Sequence, residues 1–118
     1  MFDQYPSLDK VLIQELKELD PEDNTFLEKV LDMFVDDVKT SFSKLNTLVP
    51  EEDAQEIHKL THPLKSSSGN VGALKLAAIF TEMDNKSKAN DLQEMESLFL
   101  EAQKEFCIVE KKIKEILE

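Results

Sequence analysis

The residues whose types and spacing suggest chemistry lie between Thr61 and Ala73, where the sequence reads THPLKSSSGNVGA. His62 is one of only 2 histidines in the chain, and Lys65 follows it at the third position. Residues three apart share one face of a helix, so the Lys65 ammonium can lie beside a group attached to His62. A neutral imidazole can attack phosphorus, and a nearby ammonium stabilises the phosphoryl oxygens. The pair suggests a histidine that carries an anion.

The elements that must position this pair are predicted to be helices. The chain has 118 residues with 2 glycines, 4 prolines, no tryptophan and 33% charged residues, and it is rich in leucine, lysine and glutamate. Such a composition favours helices over strands. A chain of this length suits one compact domain with a core of its own. We therefore expect an all-α protein with a single domain over residues 1–118.

Apolar residues at helical spacing indicate where the first helices begin. A short first helix carries apolar residues from Leu8 to Leu19, and Ser7 is its predicted N-cap. A proline followed by acidic residues occurs at Pro21 and again at Pro50. This pattern is typical of a helix start, and it predicts that the second and third helices open there.

The two histidines are predicted to lie on the flank of the third helix. At about 100° per residue, His58, His62 and Lys65 point roughly 100° away from the apolar side of that helix. Gly69, Asn70 and Gly72 break the helical rhythm and supply the backbone freedom for a turn or a local distortion before a fourth helix. The site is therefore expected to be exposed beside the core, not inside it.

The last helix carries the most regular apolar pattern in the chain. Residues 86–90, KSKAN, are predicted to be a polar connection, and an apolar stripe with alternating spacings of three and four runs from Leu92 to Ile116. Such a stripe suits a coiled coil or a helical bundle. Because the chain has three other amphipathic helices, we favour an antiparallel bundle.

Charge and residue usage exclude several functional classes. The net charge is −11 and all 14 basic residues are lysines, which argues against nucleic-acid binding. No apolar run reaches the roughly 18 to 20 residues that cross a membrane, and no glycine-rich nucleotide loop occurs. The N-terminus lacks the pattern of a signal peptide and Cys107 has no partner for an internal disulfide, so we expect a cytoplasmic protein in which Cys107 is buried as a small apolar residue.

The string that begins at His62 resembles a known motif. It reads His, any residue, Leu, Lys, a small residue, Ser, Ser, three residues, Gly, Ala. This is similar to the motif of the histidine-containing phosphotransfer (HPt) domain. That family consists of a short leading helix and an up-down-up-down four-helix bundle of about this length, so the resemblance extends over essentially the whole chain. Within the family, the chain is most similar to the small stand-alone phosphotransfer proteins of bacterial quorum-sensing relays, the LuxU-like type.

The resemblance implies a role for individual residues. His62 corresponds to the phosphorylated nucleophile and Lys65 to the lysine that stabilises the phosphoryl charge. Ser66 lies where many members have glycine, and Asp84 lies where some members have a polar partner for the site. Further neighbours of the phosphoryl site or of the docking surface are expected at Ser66, Ser67, Gly69, His58 and Lys88.

His58 precedes His62 by four residues and shares its helical face. Two functional interpretations are open, a second phosphoryl acceptor or a His-x3-His metal pair. The chain has no further histidine, so a closed zinc site would need carboxylates from another helix. We expect His58 to be a solvated or hydrogen-bonded neighbour and expect no metal in the site.

Pro63 is unusual at the centre of a predicted helix. It removes the amide that would bind the carbonyl of Lys59, at a cost of about 3 kcal/mol if nothing compensates. It also biases His62 away from helical geometry. We expect the third helix to kink at Pro63 and to tilt the His62 imidazole relative to Lys65.

As a whole, the resemblance implies a phosphorelay intermediate. His62 would accept a phosphoryl group from the aspartate of a receiver domain in a hybrid sensor kinase and pass it reversibly to the aspartate of a response regulator. The receiver would supply Mg²⁺, so this chain would act as a monomeric carrier with no cofactor and no ATP-dependent kinase activity of its own. The alternative is a non-catalytic helical interaction module that uses the C-terminal heptad stripe.

Overall fold

The computed structural model describes residues 1–19 and 25–118, and five helices lie in these ranges. They are α1 (Lys10–Glu18), α2 (Thr25–Leu48), α3 (Ala54–Asn70), α4 (Leu74–Lys88) and α5 (Met95–Leu117). Each of α2, α3 and α4 packs on the helix that follows it, α5 packs back on α2, and α1 also packs on α2. Short connections between neighbours make the bundle antiparallel. The expected all-α four-helix bundle with a short additional N-terminal helix is confirmed.

The core of the bundle is built on aromatic contacts between α2, α4 and α5. The Phe42 ring lies 5.5 Å from those of Phe99 and Phe106 and 6.1 Å from that of Phe80. The apolar stripe of α5 faces this core, and its buried members are Met95, Phe99, Ala102, Phe106, Val109 and Ile113. Because the chain buries the stripe in its own bundle, the stripe is not available for a coiled coil.

The N-terminal leader is anchored to the connection between α3 and α4. Phe2 is buried, the Lys75 amide donates a hydrogen bond of 2.9 Å to the Pro6 carbonyl, and the Asp9 amide donates one of 2.7 Å to the Gly72 carbonyl. Asp9 then caps α1, since its carboxylate accepts from the Val11 amide at 2.9 Å. The prediction of Ser7 as the cap is therefore wrong, because the anchored leader continues to Asp9.

Helix starts were also predicted at Pro21 and at Pro50. The start predicted at Pro21 lies outside the described residues. The start predicted at Pro50 is wrong by four residues, because α3 begins at Ala54, where the carboxylate of Asp53 caps it by accepting from the Glu56 amide at 3.2 Å. The acidic run after Pro50 thus supplies the cap, as expected for a helix N-terminus.

Two predictions about local burial and helix length are wrong. Residues 86–88 are not part of a polar connection, because α4 continues to Lys88, and the buried Ser87 hydroxyl donates to the Asp84 carbonyl at 3.0 Å. Cys107 is exposed. It follows the buried Phe106 on α5, and one step of about 100° along a helix carries it out of the stripe to the solvent side.

Pro63 does not interrupt α3. The helix runs from Ala54 to Asn70 with Pro63 inside it, so the predicted departure of His62 from helical geometry is wrong. Pro63 and Lys59 are both exposed, and water can therefore bind the Lys59 carbonyl that lacks its helical donor. The tilt of the His62 ring by the proline stays a prediction.

No helix among the described residues is long and apolar enough to cross a membrane. The longest of them, α2 and α5, carry charged residues along their outer faces.

The two glycines of the chain lie in different backbone environments. Gly72 adopts φ +83°, and a Cβ added there would lie 3.3 Å from three atoms of Asp9. Gly69 lies inside α3, and a Cβ added there would have no atom within 4 Å apart from the neighbouring backbone of its own helix. The prediction that Gly69 breaks the helix is therefore wrong, and glycine is required only at position 72, by the turn and by the close approach of the leader.

We expect Gly72→Ala to lower the free energy of unfolding by about 1–2 kcal/mol, because a side chain disfavours the left-handed backbone. Gly69→Ala should raise it by about 0.5–1 kcal/mol, because alanine loses less backbone entropy in a helix. Urea unfolding of the two variants beside the wild-type chain measures both changes. Equal stability of Gly72→Ala and wild type would contradict the strained turn.

Candidate functional site

The candidate site lies where α3 faces α4. His58, His62 and Lys65 project from one side of α3, because their spacings of four and three place them on successive turns. Asp84 on α4 faces all three. The side chains of His62, His58 and Lys65 are 61%, 33% and 29% exposed, whereas that of Asp84 is 2% exposed. The predicted position of the histidines on the helix flank is confirmed.

The carboxylate of Asp84 joins these side chains into one group, which we call the Asp84 cluster: Asp84, His58, His62 and Lys65. Its Oδ2 atom accepts a hydrogen bond of 2.7 Å from Lys65 Nζ and lies 3.3 Å from His62 Nδ1. Its Oδ1 atom lies 2.6 Å from His58 Nδ1 and 3.5 Å from the hydroxyl of the buried Thr61. One buried carboxylate thus orients the exposed His62 ring.

The contact between His58 and Asp84 differs from the other contacts of the cluster. The two atoms are close, but their angles do not form a hydrogen bond, and His58 Nδ1 is a buried nitrogen without a hydrogen-bond partner. The contact is therefore an ion pair when His58 is protonated, and an unfavourable approach of two lone pairs when Nδ1 carries no proton.

The cluster keeps Asp84 ionised. Burial alone raises the pKa of the Asp84 carboxyl, but hydrogen bonds from Lys65 and His62 and the charges of Lys65 and His58 outweigh it, so the pKa lies below the ordinary value of 3.8. An ionised carboxylate only accepts hydrogen bonds. At neutral pH, Asp84 therefore favours the tautomer of His62 that carries its hydrogen on Nδ1.

This tautomer leaves the lone pair of His62 on Nε2. A neutral imidazole has one N–H and one lone pair, and the hydrogen on Nδ1 faces the Asp84 carboxylate at 3.3 Å. Within the described part of the chain, Nε2 has no hydrogen-bond partner, and most of the ring is exposed. The geometry therefore presents Nε2 as a nucleophile to a group that approaches from solvent.

Of the other residues predicted near the phosphoryl site, two lie on the helical face of His62 and two do not. Ser66 and Gly69 follow His62 by four and seven residues on α3, so they lie on its helical face, and Ser66 is exposed. The Ser67 hydroxyl instead donates to the Leu64 carbonyl at 3.3 Å. Lys88 is exposed one turn beyond Asp84, and among the described residues it forms no ion pair with the cluster.

Asp84 is the central residue of the site that the sequence indicated least. It lies one helical turn after Phe80 and directly after Met83, both of which are fully buried. The family resemblance had already placed a polar partner of the site at Asp84, and an acidic residue on the inward face of a helix was a second signal, since such a carboxylate is rarely buried without partners. The partners themselves come from α3.

A comparison with known protein families shows to which family this chain belongs. A family model described as the Hpt domain matches residues 29–117. The chain belongs to the Hpt domain family. This membership confirms the family suggested by the motif at His62.

Two relatives of this Hpt domain protein support the assignment. The phosphorelay protein LuxU of Vibrio harveyi is 33% identical over 84 residues, which cover 69% of this chain and 72% of the relative. The crystal structure of histidine-containing phosphotransfer protein B (HptB) from Pseudomonas aeruginosa PAO1 is similar with a TM-score of 0.87 and 28% identity, covering 95% of each chain. The chain is a phosphotransfer intermediate of two-component signalling, and it is LuxU-like.

Proposed function

We propose that His62 carries the phosphoryl group and that Nε2 is the atom that accepts it. The observation that supports this most directly is the approach of His62 Nδ1 to the ionised Asp84 carboxylate, which leaves the Nε2 lone pair free. Nε2 attacks the phosphorus of an aspartyl phosphate on a receiver domain. The N–P bond forms, the P–O bond to the aspartate breaks, and the aspartate leaves as a carboxylate.

Transfer to the next aspartate is the reverse of this reaction. The imidazole becomes positively charged as the N–P bond forms, and the hydrogen on Nδ1 then points at a negative carboxylate. Asp84 thus stabilises the phosphorylated ring without taking its proton. Because the same contact exists before and after transfer, little rearrangement of the bundle is needed in either direction.

Lys65 is proposed to bind the phosphoryl oxygens. Its ammonium and His62 Nδ1 both contact Oδ2 of Asp84, so the two groups share one oxygen. A rotation of the partly exposed Lys65 side chain brings the ammonium to a group attached to His62. A positive charge at this place lowers the energy of the phosphoryl group as charge spreads over its oxygens.

The partner is proposed to be a receiver domain that docks along α3. His62, Ser66 and Gly69 lie on one helical face, and the small side chains after His62 allow a close approach of the partner's loops. The receiver would bring the Mg²⁺ that phosphoryl transfer needs. The chain itself would act as a monomeric carrier without ATP-dependent kinase activity, with its donor in a hybrid sensor kinase and its acceptor in a response regulator.

The direct test is incubation of the chain with a phosphorylated receiver domain and Mg²⁺. We expect one phosphoryl group per chain, labile to acid and stable to base, which mass spectrometry of peptides locates on His62. A label that survives acid, or one located on any other residue, would contradict the proposal.

Lys65→Gln should slow phosphoryl transfer to His62 by about tenfold to a hundredfold, because the variant lacks the charge that binds the phosphoryl oxygens. The matched control is Lys59→Gln on the same helix, whose exposed ammonium contacts Glu56 at 3.1 Å, whereas the lysine that pairs with Asp84 is Lys65. Rates of labelling by a phosphorylated receiver provide the comparison. If both variants were labelled at the same rate, Lys65 would have no role in transfer.

A further inference from the structure

The Asp84 cluster contains three metal-ligating groups that come from two helices. One ligand atom each from His58, His62 and Asp84 lies within 4.8 Å of the other two. Two imidazoles and one carboxylate, with a position left open, form a familiar ligand set for zinc and related divalent ions. We propose that these residues bind a divalent transition-metal ion of the zinc class, and that the metal and the phosphoryl group exclude each other at His62.

The distances in the cluster are close to those of a metal site. Two ligands of a tetrahedral zinc ion lie about 3.4 Å apart. His62 Nδ1 and Asp84 Oδ2 are 3.3 Å apart, while His58 Nδ1 and Asp84 Oδ1 are 2.6 Å apart and need to separate by about 0.8 Å. The two imidazole rings lie 5.4 Å apart on successive turns of α3. Because the two histidines face different oxygens of Asp84, binding of one ion by all three groups requires side-chain rotations that bring the three ligand atoms, now within 4.8 Å of one another, around it.

The His58 nitrogen indicates that a cation belongs in this space. His58 Nδ1 is buried, has no aligned hydrogen bond, and faces a carboxylate oxygen at 2.6 Å. A buried polar atom without a partner is costly, and the two facing lone pairs repel whenever His58 Nδ1 carries no proton. A cation that binds both atoms removes both costs. A metal ion does so while it also takes His62 as a third ligand.

The site is built for moderate affinity. The Lys65 ammonium occupies Asp84 Oδ2 at 2.7 Å, so it must swing toward solvent when the ion binds. Its side chain is partly exposed, which permits that movement, but its positive charge opposes the ion. From the sequence we expected no metal, because the chain has no further histidine and a closed zinc site would need carboxylates from another helix. In the structure, α4 supplies one such carboxylate, that of Asp84.

The exclusion follows from the chemistry of imidazole and rests on the proposed function. A neutral ring has one lone pair, and a metal bound to Nδ1 occupies it, so Nε2 keeps the hydrogen and cannot attack phosphorus. A zinc-loaded chain is therefore unable to accept a phosphoryl group. The binding of the metal itself does not depend on any receiver domain.

The binding is tested on the full chain with zinc sulfate alone. Because the chain has only 2 histidines, nitrogen NMR of histidine-labelled protein resolves each imidazole. We expect both rings to shift together and to saturate at one zinc per chain. His58→Gln should weaken the affinity measured by calorimetry at least about tenfold. The control Glu56→Gln, which removes an exposed carboxylate of α3, should keep the wild-type affinity.

Two results of these zinc-binding measurements would contradict the proposed metal site. A shift of only one ring, or equal zinc affinity of His58→Gln and wild type with unchanged helical circular dichroism, would mean that the three groups do not act together. No receiver is present in this measurement, so a failure to bind zinc leaves the phosphotransfer proposal intact, and a failure of phosphotransfer leaves the binding result intact.

The exclusion is tested with a phosphorylated receiver by comparing each variant with its own zinc-free rate. Labelling of the wild-type chain should fall in proportion to zinc occupancy, whereas His58→Gln should lose at most a small fraction of its rate at the same zinc concentration. If the wild-type chain and His58→Gln lost the same fraction of their rates, zinc would be acting on the receiver, and the proposed exclusion would be wrong.

Discussion

Replacing His62 by glutamine should abolish phosphoryl acceptance from a phosphorylated receiver domain. Glutamine offers an amide nitrogen whose lone pair is delocalised, so it cannot form the N–P bond. The loss should be complete and not partial, because every step of the proposed transfer passes through His62 Nε2. Labelling with a phosphorylated receiver, followed by acid treatment, measures it.

The fold of this variant should be intact. His62 is 61% exposed, and Asp84 keeps its hydrogen bond from Lys65 in the variant, so His62→Gln should change the free energy of unfolding by at most about 0.5 kcal/mol. His58→Gln is the matched control, since it makes the same substitution one turn earlier on the same face. That variant should still become labelled. Acid-labile label on the His62→Gln chain would show that a different residue carries the phosphoryl group.

Much of the site could be predicted because its signals are local in the sequence. The spacing of His62 and Lys65 places them on one helical face, and the apolar side of α3 can be read from residues within a few turns. The same kind of local periodicity predicted the stripe of α5 and the bundle that buries it. Such patterns depend only on helical geometry, and the fold preserved them.

What could not be predicted depends on contacts between distant segments. The role of Asp84 requires the packing of α4 on α3, which brings one carboxylate to residues about 20 positions earlier in the chain. Ser7 failed as a cap because Pro6 and Asp9 bind the connection between α3 and α4. The cap of α1 thus depends on contacts with residues more than 60 positions away. The local sequence around Ser7 does not show these contacts.

Asp84→Asn should reduce both phosphoryl acceptance and the free energy of unfolding at neutral pH. The neutral amide no longer pairs with the Lys65 charge, and it can donate as well as accept, so it does not hold the hydrogen of His62 on Nδ1. We expect phosphoryl acceptance to fall at least about tenfold, since the histidine loses the group that orients it. The free energy of unfolding should fall by about 1–3 kcal/mol, because buried polar atoms lose their partners. Receiver-dependent labelling and urea unfolding measure the two effects.

The stability difference between wild type and Asp84→Asn should also depend on pH. The pKa of Asp84 is lower in the folded chain than its ordinary value of 3.8, so the unfolded chain binds the proton more readily. The stabilisation is therefore complete above the unfolded pKa and is lost as the pH falls through the folded pKa.

Urea unfolding of the metal-free chain, with a chelator present, should show the full difference near pH 6 and a shrinking difference below about pH 4. The exposed Asp32→Asn is the control, because Asp32 lies away from the cluster on α2 and its loss should create no such difference. A difference for Asp84→Asn that stayed constant into strong acid would mean that shape, and not the charge of the carboxylate, holds α4 against α3.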